Sequence, residues 1–154
     1  MRITNVTLIN KPAEVALQDF DSCATYDIAL TSPPYYNLEI YSDEPTQSVA
    51  AVPNGYQAWL DTFLRPVISG IIRLGVKYSC WSVKNFKTDK KYDLLDDVVR
   101  IHADHGWRLL EDMVFTMANS RRPGQKSAQP QTQTQTSTAP KKTEECTYVF
   151  VRVT

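Results

Sequence analysis

The chain has 154 residues, 42% of them hydrophobic and 22% charged, which suits one domain with a buried core. Its 17 basic and 17 acidic residues cancel to a formal net charge of zero. That balance excludes a chain that grips duplex DNA by bulk phosphate neutralisation alone. Cys23, Cys80 and Cys146 are widely spaced; they suggest neither a disulfide framework nor a zinc cluster, and they fit a reducing compartment. No signal-peptide core is visible, and no apolar run approaches the roughly twenty residues of a membrane span. A soluble cytoplasmic protein without a metal is the expectation.

Arg2 to Asn10 alternates and reads as a first strand, with Ile3, Val6, Leu8 and Ile9 directed to the core. Lys11-Pro12-Ala13-Glu14 opens a short helix, because proline is favoured in the first turn. Tyr26 to Thr31 is compact, apolar and bounded by turn residues, the pattern of a short buried strand. Residues 36–54 are polar and interrupted by proline, and read as a long loop. Tyr56 to Leu74 is the longest helical pattern, with Trp59, Leu60, Phe63, Val67, Ile71 and Leu74 at three- and four-residue spacing. Pro66 predicts a kink or division within it, and Gly75 a stop.

Val76 to Val83 reads as a central strand, and Tyr92 to His105 as a second helix closed by Gly106. Arg108 to Met117 and Glu145 to Val153 read as two further strands. Between them, residues 118–143 contain the polar repeat Gln129-Pro130-Gln131-Thr132-Gln133-Thr134-Gln135-Thr136, which buries too little apolar area to offset its ordering entropy and reads as a flexible insert. The order of elements predicts one α/β domain over residues 1–154, with a mostly parallel sheet and one antiparallel hairpin.

The most informative feature is Ser32-Pro33-Pro34-Tyr35, directly behind the strand at 26–31. Two prolines cannot continue a β-ladder, since each lacks an N–H and fixes φ. The chain is forced out of the sheet at a strand's C-terminal edge, where open α/β sheets bind ligands. Hydroxyl and carbonyl acceptors beside an aromatic ring suit a planar group with an exocyclic amine. Two other readings stand beside this one: a plain proline-rich turn, and a Pro-Pro-x-Tyr peptide ligand formed by Pro33, Pro34 and Tyr36.

Here the chain resembles the amino-methylating DNA methyltransferases, which act on cytosine N4 or adenine N6. Ser32-Pro33-Pro34-Tyr35-Tyr36-Asn37-Leu38 is similar to the catalytic motif of the cytosine-N4 branch. Tyr56-Gln57-Ala58-Trp59-Leu60, Gly106-Trp107-Arg108-Leu109-Leu110-Glu111-Asp112 and Glu145-Cys146-Thr147-Tyr148-Val149-Phe150-Val151-Arg152 resemble later segments in the expected order. The resemblance implies a partial Rossmann-like methyltransferase fold, DNA as substrate and S-adenosylmethionine as cofactor. It implies a flipped base whose amine is held by Ser32 and the Pro33 carbonyl, with Tyr35 stacked on its face.

One departure qualifies it. The family binds the cofactor through a glycine-rich turn, whereas the five glycines here, Gly55, Gly70, Gly75, Gly106 and Gly124, are scattered. In the circularly permuted branch that turn follows the catalytic motif, so this chain resembles the catalytic-loop half alone. The expectation is a split enzyme working with a chain that supplies the cofactor half, or an inactive remnant serving as a binding or structural subunit. Either version predicts an oligomer.

Elsewhere the sequence is less specific. Arg121, Arg122 and Lys126, with Lys141 and Lys142, flank the polar repeat and read equally as phosphate contacts or as solvating charge. His102 and His105 have metal-compatible spacing, but no Glu or Cys completes a cluster, so a partly buried His102 beside a surface His105 is the reading. Asp93, Asp96 and Asp97 read as a solvated helix face, and Trp59, Trp81 and Trp107 as core aromatics.

Overall fold

The computed structural model describes residues 6–20, 26–39, 55–116 and 145–153. The first helix, α1 (Ala13–Asp19), begins behind Pro12 as the proline predicted. Strand β1 (Ile28–Thr31) leads into the diproline segment. Next comes one long helix in three parts: α2 (Tyr56–Trp59), a widened π-turn (Leu60–Leu64) and α3 (Arg65–Arg73). Pro66 has no N–H to give the preceding turn, and the chain answers by widening that turn rather than breaking. Gly75, at φ 68°, ends the helix in a conformation costly for any residue with a Cβ.

Strand β2 (Tyr78–Val83) follows, then a hairpin of two-residue strands, β3 (Phe86–Lys87) and β4 (Lys91–Tyr92). Helix α4 (Leu94–Asp104) and the strands β5 (Trp107–Thr116) and β6 (Cys146–Arg152) complete the described chain. The N-terminus of α4 is held from outside the helix. Asn85 Oδ1 accepts the Leu95 N–H at 2.9 Å, while Asn85 Nδ2 donates to Asp93 at 3.3 Å. This buried asparagine does the work of a cap.

The main sheet has the order β1-β2-β6-β5. Among the described residues, β1 and β2 alone are parallel; β6 runs antiparallel to both β2 and β5. The expected mostly parallel sheet is therefore corrected to a mixed one in which antiparallel pairs dominate. The reason is that β6 returns between β2 and β5 and makes two antiparallel ladders instead of one. The predicted first strand is corrected as well: residues 6–10 form no strand, and Leu8 is 94% exposed. Ile3 and the segment 118–143 lie outside the described residues.

Register decides which face is buried. Ser79, Trp81, Val83, Tyr148 and Phe150 share one face; the four apolar ones lie in the core with residues of α3 and α4, and Ser79 is buried among them. Within it, Trp81 Nε1 donates to Ser79 Oγ at 2.7 Å, and Ser79 Oγ lies 3.1 Å from His102 Nε2. His102 Nδ1 sits 2.8 Å from the Val98 carbonyl, and its ring stacks on Phe150 at 3.9 Å. A carbonyl only accepts, so the proton is on Nδ1 and Nε2 receives the Ser79 hydroxyl. The opposite face carries Ile28, 60% exposed, and Leu30, 72% exposed, with Tyr78 beside them in register. Among the described residues β1, expected to be buried, is thus an edge strand open on one face.

Helix α1 is fastened to α3 at a close approach. Arg73 donates to the Leu17 carbonyl at 2.6 Å, and a Cβ built on Gly70 meets Leu17 Cβ at 2.8 Å. Gly70→Ala is expected to lower stability by about 1 kcal/mol net, since overpacking of about 1–3 kcal/mol outweighs a helix-propensity gain of about 1 kcal/mol. A raised urea midpoint for that variant would show that α1 yields freely.

Candidate active site at the diproline loop

The loop leaves the C-terminal end of β1 as the prolines demand. Ser32 is exposed, Pro33 is buried and Pro34 is half-buried. A turn follows, closed by the Leu38 N–H donating to the Tyr35 carbonyl at 2.8 Å. Tyr36 occupies its left-handed position at φ 41°, which costs a non-glycine residue about 1–3 kcal/mol. Ring packing holds it there: Tyr36 lies 5.5 Å from Tyr56, 5.9 Å from Trp59 and 5.6 Å from Tyr92, between centroids. Asn37 Oδ1 accepts the Thr88 hydroxyl at 3.1 Å, and Glu39 accepts the Tyr35 N–H at 3.3 Å.

Tyr35 enters the interior. It is 4% exposed and meets Phe86 edge to face at 5.5 Å. Phe86 in turn stacks on Tyr92 at 4.9 Å. Burial, and then the negative charge of Glu145, push the Tyr35 phenol well above its ordinary range. Its hydroxyl lies beside the Lys84 backbone amide without a hydrogen bond of good geometry. Burial and Asp97, which accepts the Tyr56 hydroxyl at 2.9 Å, likewise raise the Tyr56 phenol. Both rings therefore stay protonated.

Of the expected site, Ser32 stands open at the rim, whereas Tyr35 does not present the free ring face that stacking on a base requires. The physical reason is Phe86, which follows β2 closely and provides the loop with an apolar wall. The same burial, of Pro33 and Tyr35, removes the peptide-ligand reading, since that ligand must be accessible and extended. Arg121, Arg122, Lys126, Lys141 and Lys142 lie outside the described residues. Trp59, Trp81 and Trp107 are all buried, and Trp59 supports Tyr36 rather than Tyr35. His102 is buried, and His105 is exposed with Nε2 2.8 Å from Ser69 Oγ. Among the described residues no group of three or more His, Cys, Asp or Glu could hold a metal.

Three residues escape a reading of the sequence. Lys84 directly follows β2, and Glu145 directly precedes β6; the pairing of Val83 with Cys146 sets them side by side. Their charged groups are 3.4 Å apart, and the Lys84 ammonium lies over the Tyr35 ring, 5.8 Å from its centroid. The third, Tyr36, opens what the sequence presents as a featureless loop. A doubled aromatic after diproline is the available signal. A groove of about 660 Å³, lined by Val99, Ala103, Trp107, Arg108, Leu109, Glu111 and Asp112, contains no residue of the loop.

The architecture is that of an α/β domain, and comparison with solved structures refines this. The chain superposes on TTHA0409 of Thermus thermophilus, described as a candidate DNA modification methylase, with a TM-score of 0.54 and 19% identity. The match covers 92% of this chain and 51% of that one. The same protein complexed with S-adenosyl-L-methionine gives a TM-score of 0.54 at 21% identity, over 92% of this chain and 52% of that chain. This chain therefore shares its fold with about half of that methylase, and it spans about half the length of the structures it matches. No family model and no curated protein sequence matches it. Among the described residues no helix is long and apolar enough to cross a membrane.

Proposed function

We propose that the chain is the catalytic-loop part of a DNA amino-methyltransferase, with cytosine N4 as the favoured acceptor and S-adenosylmethionine as methyl donor. The observation that carries this reading is the position of Ser32, exposed where the diproline turns out of β1. In this proposal its hydroxyl and the Pro33 carbonyl accept hydrogen bonds from a base amine. Such acceptors orient the amine's lone pair away from the protein, and orientation of this kind carries much of a displacement reaction. The likeness to TTHA0409, solved with S-adenosyl-L-methionine, supports the class.

The described residues do not themselves fit the cofactor. Gly75 and Gly106 end helices with positive φ, Gly70 makes the close approach to Leu17, and Gly55 precedes α2. None forms a cradle for a nucleoside. The cofactor pocket belongs, in this proposal, to a partner polypeptide, and the open face of Ile28, Leu30 and Tyr78 is a surface on which one would pack. Tyr35, closed as it stands, becomes a stacking residue only after it is uncovered. That closure favours the second reading, a silent remnant acting as a binding subunit.

The test is methyl transfer to DNA by the chain co-expressed with the products of its neighbouring reading frames. Ser32→Ala is expected to lower the rate on the order of 100-fold, the scale of one preorganised hydrogen bond at a reacting group, without changing the melting profile. Tight binding of S-adenosylmethionine to the isolated chain, read by calorimetry, would contradict the partner requirement. Absence of transfer in every combination would leave the silent reading.

A further inference from the structure

The buried Tyr35 ring has one charged neighbour that reaches the surface. Directly over the ring stands the Lys84 ammonium, 5.8 Å from the centroid, held at 3.4 Å by Glu145. Their side chains are 33% and 34% exposed, whereas Tyr35 is 4% exposed. The cover of the ring thus includes one flexible side chain at the surface, while Phe86 meets the ring edge to face from within. Cation–π contacts and ion pairs at such partly exposed positions are weak, and salt screens them.

Resting on the DNA-directed reading of the loop, we infer that Lys84 is a gate on the Tyr35 ring and that a nucleic-acid phosphate opens it. In the closed position the ammonium has Glu145 as counter-ion and occupies the ring face. In the open position it pairs with a backbone phosphate, and the face it leaves is free for a base. The geometry favours this trigger because Lys84 extends from the C-terminal end of β2, beside the end of β1 from which Ser32 emerges; Thr31 and Trp81 are register partners. A phosphate competes with Glu145 for the same three donors. Backbone contact and exposure of the base-stacking surface become one movement, so a base arriving without its strand meets a closed ring. Glu39, whose carboxylate takes the Tyr35 N–H, stays with the loop in both positions.

Hydroxyl-radical footprinting of the whole chain, with oxidation of Tyr35 resolved from Tyr36 by fragmentation, reads the gate directly. Lys84→Ala and Glu145→Gln should each raise Tyr35 oxidation several-fold at low salt. A short single-stranded cytosine oligonucleotide should do the same to the unmodified chain. Lys84→Ala should also lower the salt slope of oligonucleotide binding by about 1, the loss of one phosphate contact. Should Lys84→Ala disturb the fold, Glu145→Gln frees the ammonium while keeping the shape of the carboxylate. Unchanged Tyr35 oxidation in both variants overturns the gate. Binding of the oligonucleotide with Tyr35 still closed and the slope unaltered overturns the gate alone. Variants that open the ring while no form binds the oligonucleotide overturn the phosphate trigger together with the DNA-directed reading.

Discussion

Tyr35→Ala is expected to destabilise the chain by about 3–5 kcal/mol, the range for deleting a buried aromatic side chain. The ring belongs to the hydrophobic core and is wedged against Phe86, so its removal leaves a cavity beneath the loop. A domain of this size holds about 5–15 kcal/mol in total; a large share of that would be lost. Loss of activity in this variant would therefore say nothing about stacking. Tyr35→Phe separates the two roles, because it deletes a buried hydroxyl that has no well-formed hydrogen bond and should change stability by no more than about 1 kcal/mol. Urea melts of both variants check the pair. A mild Tyr35→Ala would mean that the ring is not part of the core.

Acidification should act through His102. Burial, the dominant cause, pulls its pKa from 6.5 down to about 4. The unfolded chain thus takes up a proton near pH 6.5 that the folded chain refuses until about pH 4. Stability is fully present above pH 6.5 and falls between 6.5 and 4, by about 3 kcal/mol at about 1.4 kcal/mol per pH unit. The structural origin is directional. The Trp81, Ser79, His102 and Val98 contacts leave Nε2 as an acceptor, and a second proton there would face the Ser79 hydroxyl hydrogen. Unfolding midpoints measured from pH 8 to pH 4 check this; a flat profile over the lower half would reject a neutral, buried His102. Asp104, whose carboxyl the Arg65 guanidinium holds below its usual range, releases its contribution only at lower pH.

Much of the local structure was legible because it depends on local rules. Proline placed the start of α1, Gly75 and Gly106 marked helix ends, and apolar spacing found α3 and α4. The helix face around Leu95, Val98 and His102 is buried as the period required. Pairing was harder, because β6 inserts between β2 and β5 and no residue announces its neighbour across a sheet. The burial of β1 was overestimated for the same reason: an apolar run shows what can be covered, not whether anything covers it. The hairpin Phe86–Tyr92 uses strands of two residues, shorter than any period can register. At the site, Ser32 and the diproline elbow were visible because proline acts on its own backbone. The contact between Lys84 and Glu145 joins two segments distant in the chain, and the doubled tyrosine divides its labour in a way only packing determines. Tyr35 turns inward, and Tyr36 takes the left-handed bend.

The widened turn at Leu60–Leu64 has a consequence for the loop it faces. Each residue added to or removed from a helix rotates everything before it by about 100°. With five residues in that turn, Trp59 and Tyr56 pack against the Tyr36 ring while Val67 and Ile68 are buried in the core. Shortening the turn by one residue to a regular spiral would leave the lower half seated and swing the upper pair out of phase. The elbow is thus indexed to residue count in a helix it meets through the Tyr36, Tyr56 and Trp59 rings, and insertions or deletions there act on it as if made in the loop.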